Sequence, residues 1–331
     1  MKTDLTSRRR FVLNGIAALY AGVGPVTVYA QSLVEQLRVL CVTPAGSVPD
    51  MVARGVAAQL KDSYPRGVLV DNRPGASGQI AIGALKAAPA DGSTVLLAQG
   101  SAASAYRYLF SKLTFDPAED LKPVSLGAEV TLGLAVGPLV PAGVGNLREL
   151  IEWMRSNPKL ANAGSPGAGS PPHLLEAMLF REAGVAWEHI PFAGSPPAMA
   201  ALLGGQIAAL VVPEGVLRPH AASGKLRILA TSGARRTAYL PDVPTLVEQG
   251  YPNLVVLDWF GFFVSGGVSA GVTEAMSQRL RVALGQPALQ AAFAETGMVA
   301  VSSTPAVMAA RIEADRHFWE PVIRVNGIRA G

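Results

Sequence analysis

The sequence predicts an α/β protein in two lobes, each a mostly parallel sheet flanked by helices, joined by two hinge crossovers. Three observations lead there. Short β-rich runs alternate with amphipathic helical patterns along most of the chain, the order that builds βαβ units. The alternation starts twice, once at Leu37 and again near Val130. At 331 residues the chain also exceeds what a single core organises comfortably. A long β-rich stretch after Gly250 and a helical region from about Val272 close the sequence, and the first series is the one short of helices. The lobes are therefore expected at residues 31–129 plus 260–331 and at residues 130–259, with the chain crossing near Val130 and returning near Phe260.

The N-terminus begins with Ser7-Arg8-Arg9-Arg10-Phe11, continues through a moderately apolar run to Thr27, and ends in the small-residue stretch Val28 to Ala30. A basic start, an apolar stretch and a small-x-small ending describe an export signal over residues 1–30, with cleavage expected before Gln31. The Arg8-Arg9 pair resembles a twin-arginine signal; a general secretory signal is the other reading. A membrane anchor is disfavoured because Gly15, Gly22, Gly24 and Pro25 interrupt a run shorter than the ~20 residues a spanning helix needs. Without residues 1–30 the chain keeps 24 basic and 23 acidic residues, and it shows no basic stripe with interleaved aromatics, so nucleic-acid binding has no support. The single cysteine, Cys41, forbids an internal disulfide and lies in an apolar strand, where an inert buried thiol is expected.

The elements follow in order. LRVLCV is a strand, and a helix with Val52, Val56 and Leu60 on one face begins at about Asp50. VLVDN, a turn at Arg73-Pro74-Gly75, a helix through Leu85 and the strand Thr94 to Ala98 complete the first series, which opens into Gly100-Ser101-Ala102. In the second series TLGLAV is a strand, Asn146 and Glu149 mark a capped helix start, and KLANAG leads into SPGAGSPP. A helix, the strand WEHIPF, the turn at Ala193, a helix stopped by Gly204-Gly205, and the strands IAALVV and LRILAT follow.

One pattern recurs three times: Ala-Gly-Ser at residues 45–47, 168–170 and 193–195, each after a strand-like run and before a helix. Ser47, Ser170 and Ser195 are expected as helix N-caps, with Pro171 and Pro196 at the first helical position. A helix start with small residues over it suits an anion, because unpaired N–H groups converge there at the positive end of the helix dipole. All three turns are expected at the carboxyl edge of the strands, where open α/β sheets bind ligands. Catalysis is disfavoured: none of Ser165, Ser170 and Ser195 stands at the centre of a GxSxG, and a proline follows each of them immediately, although His173 is nearby as a base. The histidines 173, 189, 220 and 317 lack metal-ligand spacing, so neither metal nor cofactor is expected.

The segments VTPAGSVPD at Val42, DNRPGASGQ at Asp71, APADGSTVLLA at Ala88, FDPAEDLKPVSL at Phe115, the turn Ser165 to His173, IPFAGSPPA at Ile190, LPDVPTLVEQGYP at Leu240 and DWFGFF at Asp258 form a specific signature. In this order the chain resembles the extracytoplasmic substrate-binding receptors of tripartite tricarboxylate transporters, the Bug-type, TctC-like family, along its length. The resemblance implies a periplasmic-binding-protein-like fold, export to the periplasm, and no enzyme activity. It also implies capture of a small carboxylate, organic or aromatic, for membrane permease subunits. A periplasmic sensor of the same fold would use the same cleft and differ in its partner, a sensor kinase; a monomer is expected for either. The implied ligand loops are Thr43, Pro44, Ala45, Gly46, Ser47 and Val48; Gly100, Ser101 and Ala102; Ser165, Gly167, Gly169, Ser170 and His173; and Ala193, Gly194 and Ser195. Where relatives often carry an acidic residue for a ligand amino group, this chain has Ala208, Val212 and Pro213, with Glu214 next, so a plain carboxylate is expected to bind better than an amino acid. Arg73 is expected to hold backbone carbonyls, and Trp259 and Phe260 to pack a hinge.

Overall fold

The computed structural model describes residues 34–330, so the export signal expected at residues 1–30 and its cleavage point lie outside the described residues. The first series is β1 (Leu37–Cys41), α1 (Val48–Leu60), β2 (Val68–Asn72), α2 (Gln79–Lys86) and β3 (Thr94–Gln99), followed by the short helices α3 (Ser101–Ser104), α4 (Tyr106–Leu109) and α5 (Pro117–Asp120). Next comes the long strand β4 (Lys122–Val136). The second series is α6 (Leu147–Ser156), β5 (Asn162–Ser165), α7 (Pro171–Glu182), β6 (Glu188–Pro191), α8 (Ser195–Leu203), β7 (Ala209–Pro213), α9 (Glu214–Ala222) and β8 (Arg227–Thr231). The chain closes with β9 (Leu257–Val264), α10 (Ala270–Leu284), α11 (Pro287–Glu295), β10 (Met298–Ala300) and α12 (Pro305–Asn326).

β1 pairs in parallel with β2 and β3, and β5 pairs in parallel with β6 and β7. Between these two parallel sets the pairing is antiparallel, because one strand carries the chain out and another brings it back. From Lys122 to Thr131, β4 lies against β9, which also pairs with β3. From Leu132 to Val136 it lies against β7 on one edge and β8 on the other. One 15-residue strand thus belongs to both halves, changing partners between Thr131 and Leu132. Sequence pattern alone marks only its second part, because Pro123 and Gly127 break the strand signal. The register shifts beside each of these residues, so bulges absorb them. Ser232, fully buried, ties the outgoing and returning strands: its hydroxyl accepts from the Leu132 amide at 3.0 Å and donates to the Val256 carbonyl.

Apolar packing follows the sheet. α10 and α12 cover β4, and α11 packs on α1 and β10, so the C-terminal helices do serve the first sheet. Phe260, Phe262, Phe263, Leu96 and Leu97 are buried in its core, while Ala198, Leu202, Ile207 and Val212 form a smaller cluster under α8. Among the described residues, no helix is long and apolar enough to cross a membrane. Cys41 is buried, its Sγ 3.5 Å from Thr43 Oγ1, and burial raises its thiol pKa.

Candidate functional site

The loops after β1, β2, β3, β5 and β6 converge on one cleft of about 290 Å³. Every contributing loop leaves the carboxyl end of a parallel strand, so the cleft lies where the strand order places it. Behind it is a narrow recess of about 20 Å³ lined by Thr43, Ser47, Gln99, Ser195, Asp258 and Phe260 among others. No ionisable acid or base lines the outer cleft apart from the Tyr106 phenol, and Asp258 is the one carboxyl residue lining the recess.

The first turn is held by its own side chains. Asp50, 2% exposed, accepts from the Gly46 amide at 2.9 Å, from Arg54 Nε at 2.9 Å and from Asn72 Nδ2 at 2.8 Å. Asn72 Nδ2 also reaches the Thr43 carbonyl at 3.0 Å, tying the end of β2 to the turn. Burial opposes ionisation of Asp50, but the bonds from Arg54, Gly46 and Asn72 outweigh it and hold the carboxyl below its ordinary pKa. Gly46 has φ +81°, Gly169 +78° and Gly194 +105°, which gives the glycine of all three Ala-Gly-Ser copies one physical reason.

The expected caps are only partly realised. Ser47 and Ser170 are the N-cap residues of α1 and α7, but neither side chain caps its helix. Ser170 Oγ donates to the Gly167 carbonyl at 2.6 Å, and Ser47 Oγ is buried with no protein partner. The third cap falls on Gly194, one residue before Ser195, and Pro196 is then the second helical residue. A side chain on Gly194 would meet Ser47 Oγ at 3.0 Å and Pro44 Cδ at 3.2 Å, so the turns of the two halves touch across the recess.

Of the expected ligand residues, Thr43, Pro44, Gly167, Ser170, Ala193 and Gly194 line the outer cleft, and Ser47, Val48 and Ser195 line the recess. Ala45 and Gly46 are exposed and line neither cavity. Gly100, Ser101 and Ala102 are set back from both cavities: a Cβ at Gly100 would lie 2.0 Å from the Trp259 ring, so this glycine serves close packing. Ser165, Gly169 and His173 sit behind the second turn. His173 Nδ1 accepts from the Gly169 amide at 3.1 Å, and its ring stacks on His189 at 3.7 Å. Burial lowers the His173 pKa to about 3, helped by His189, and lowers that of His189 to about 4, so both rings are neutral.

Ser165 Oγ lies 2.8 Å from His189 Nε2, and the buried Glu176 carboxylate is 3.9 Å from that same nitrogen. A catalytic triad needs the acid on the other ring nitrogen and an accessible hydroxyl. Ser165 is fully buried, and burial holds the Glu176 carboxyl well above its ordinary pKa. The arrangement supports a turn and performs no chemistry. Arg73 pairs with Asp71 at 3.0 Å instead of holding carbonyls. Glu214 is also away from the cleft: it accepts from Thr237 Oγ1 at 3.1 Å, and burial raises it to about 7. Trp259 turns to the opposite face, donating to Asp315 at 2.6 Å, while Phe260 walls the recess.

Sequence reading missed three contributors. Residues 75–78 form a left-handed run, with φ of 124°, 46°, 53° and 87°, and Tyr106 Oη fixes it by donating to the Ser77 carbonyl at 2.9 Å. Non-glycine residues in this region are strained, and such strain persists only where the surroundings impose it. Gln99 sits at the junction of both cavities. Asp258, 1% exposed, accepts from Gln99 Nε2 at 3.2 Å through one oxygen. An acid amid the apolar run from Leu254 to Val264 was the available signal, since a buried carboxyl needs a purpose.

Comparison with known proteins agrees with this geometry. Over 287 residues the chain is 33% identical to Protein BugT of Bordetella pertussis, covering 86% of this chain and 87% of that one. An adipate-bound protein of R. palustris superposes with a TM-score of 0.83 at 28% identity, covering 89% of this chain and 98% of that one. MatC from Rhodopseudomonas palustris with bound malate gives a TM-score of 0.80 at 26% identity, covering 87% and 99%. With the family match, these likenesses make the chain a solute receptor with an α/β periplasmic-binding-protein fold, not an enzyme. Residues 52–328 match the TctC family, and the chain belongs to this family of tripartite tricarboxylate transporter receptors.

Proposed function

We propose that this receptor captures a small organic or aromatic carboxylate in the cleft, in the periplasm, and delivers it to the membrane permease subunits of a tripartite transporter. Residues 31–129 plus 260–331 and residues 130–259 act as the two lobes, hinged where β4 and the segment before β9 pass between them. The observation that carries this reading is the cleft itself: turns from both halves lead into the starts of α1, α7 and α8, and no cationic side chain lines it. A carboxylate there takes its bonds from fixed backbone N–H groups, and charge-assisted bonds are shorter and stronger than neutral ones. The adipate and malate complexes of the structural neighbours support the same ligand class. Glu214 is engaged elsewhere, so an amino acid is expected to bind more weakly than its deaminated analogue, and calorimetry showing it at least tenfold tighter would contradict this.

A thermal-shift screen of residues 31–331 against mono-, di- and tricarboxylates, aromatic acids, amino acids and the matching amides tests the proposal. A ligand at a hundred times its Kd stabilises by ~2.7 kcal/mol, or roughly 5 °C for a chain of this size. Stabilisation by an acid and not by its amide is the expected result. An amide that stabilises equally well, or a screen flat across all acids with no acid released on denaturing the protein, would overturn it.

A further inference from the structure

The recess behind the cleft holds two polar side-chain oxygens that nothing in the protein satisfies. Ser47 Oγ and Asp258 Oδ1 are both buried, both line this space, and neither has a hydrogen-bond partner. A buried oxygen left unpaired costs free energy, so a group is expected to complete it. The recess has room for about one small polar group. Its sign is set by the backbone: α1 and α8 both begin at the recess, through Ser47, Val48, Gly194 and Ser195, and no helix ends there. Two positive helix ends favour an inserted carboxylate over an ammonium group.

A carboxylate beside an ionised Asp258 would be two anions in one small space. Among the described residues no Lys, Arg or His nitrogen lies within 4.0 Å of Asp258 to offset them, so the aspartate must be in its acid form when the ligand enters. Around it, β3 contributes the neutral Gln99, and α4 contributes Tyr106, whose phenol burial keeps neutral. On the far face of β9, α12 contributes Asp315, whose negative charge further disfavours ionisation; Arg311 there is engaged by Asp315 and Glu129. In α1, Asp50 is ionised but spent on Arg54, Gly46 and Asn72.

Resting on the carboxylate reading of the cleft, we propose that Asp258 is a specificity-determining ligand contact: as a neutral acid it donates a hydrogen bond from Oδ1 to a carboxylate seated in the recess, opposite the Ser47 hydroxyl. Burial, opposed by Gln99 and the nearby Trp259 amide and aided by Asp315, raises the empty-site pKa to about 7. Capture above that pH therefore takes up a proton. Because only the acid form binds, affinity falls about tenfold per pH unit above 7, and it is level below.

Calorimetry of the purified receptor with adipate, malate and the acids of the thermal screen tests this, at pH 6, 8 and 9 and, at pH 8, in two buffers of different ionisation enthalpy. The expected result is uptake of about one proton at pH 8 and roughly a hundredfold weaker binding at pH 9 than at pH 6. The Asp258→Asn receptor always presents an N–H donor. It is expected to bind a few-fold more weakly at pH 6, to take up no proton, and to show no further loss at pH 9, so the two curves cross. Glu214→Gln, which removes another buried acid raised to about 7, is expected to leave the pH profile intact. An acid that binds with no proton uptake and a flat profile overturns the role of Asp258 alone; no acid binding at any pH overturns the carboxylate reading with it. A proton uptake that survives in Asp258→Asn also overturns the assignment.

Discussion

The turn after β1 and the turn after β5 share the sequence Ala-Gly-Ser and open onto the same cleft, yet opposite means hold them. In the first, an ionised Asp50 gathers the Gly46 amide, Arg54 and Asn72. In the second, a neutral stacked pair, His173 and His189, sits beside a buried Glu176; His173 accepts from the Gly169 amide, and Ser170 donates to the Gly167 carbonyl. One turn depends on keeping a charge and the other on excluding charge. The common requirement is a helix start free of side-chain caps, and either chemistry can supply it.

The largest effect is expected from breaking the charged support. Asp50→Ala strands the Gly46 and Asn72 donors and frees the first turn. It is expected to lower unfolding stability by about 2–3 kcal/mol and to weaken ligand binding more than tenfold, as read by urea unfolding and calorimetry. Unchanged affinity would show that the turn does not depend on this network.

Acid should separate the two turns. A histidine whose folded pKa lies below its unfolded value near 6.5 leaves the unfolded state binding more protons, so stability falls as pH drops below about 6.5. With folded values of about 3 and 4, the penalty at His173 and His189 grows across the whole interval down to them. Asp50 has a lowered folded pKa, so its contribution is complete above the unfolded carboxylate value and is lost only as pH falls through the folded one. Hydrogen exchange from pH 6.5 to 4.5, corrected for intrinsic rates, should therefore show residues 165–173 loosening while residues 43–48 stay protected. Simultaneous loosening would contradict the contrast.

The smallest change in stability is expected at Ser47. Its hydroxyl has no partner in the protein, so Ser47→Ala should alter unfolding by no more than ~0.5 kcal/mol. The same variant should weaken carboxylate binding roughly tenfold, the worth of one hydrogen bond to a charged group. Loss of stability without loss of affinity would reverse the assignment.

Much of this architecture is legible in the sequence because it follows from periodicity and glycine placement. The strand and helix order and the three Ala-Gly-Ser turns are visible before any coordinates. Roles that depend on distant neighbours are not. Gly100 looks like an anion loop but makes room for Trp259, and both needs select glycine. Ala76 and Ser77 adopt left-handed conformations that their side chains disfavour, so composition gives no sign of the strained loop lining the cleft. Asp258 could be noticed as an isolated acid, but only the fold brings it behind Ser47 and Gln99.

The most direct test of the account is a crystal structure of the receptor with the acid that stabilises it most. The expected result is a carboxylate in the recess bounded by Ser47, Gly194, Ser195 and Asp258, its oxygens within about 3 Å of main-chain amides at the starts of α1 and α8. A ligand bound outside the cleft, or one that presents its apolar end to the recess and its carboxylate to solvent, would contradict it.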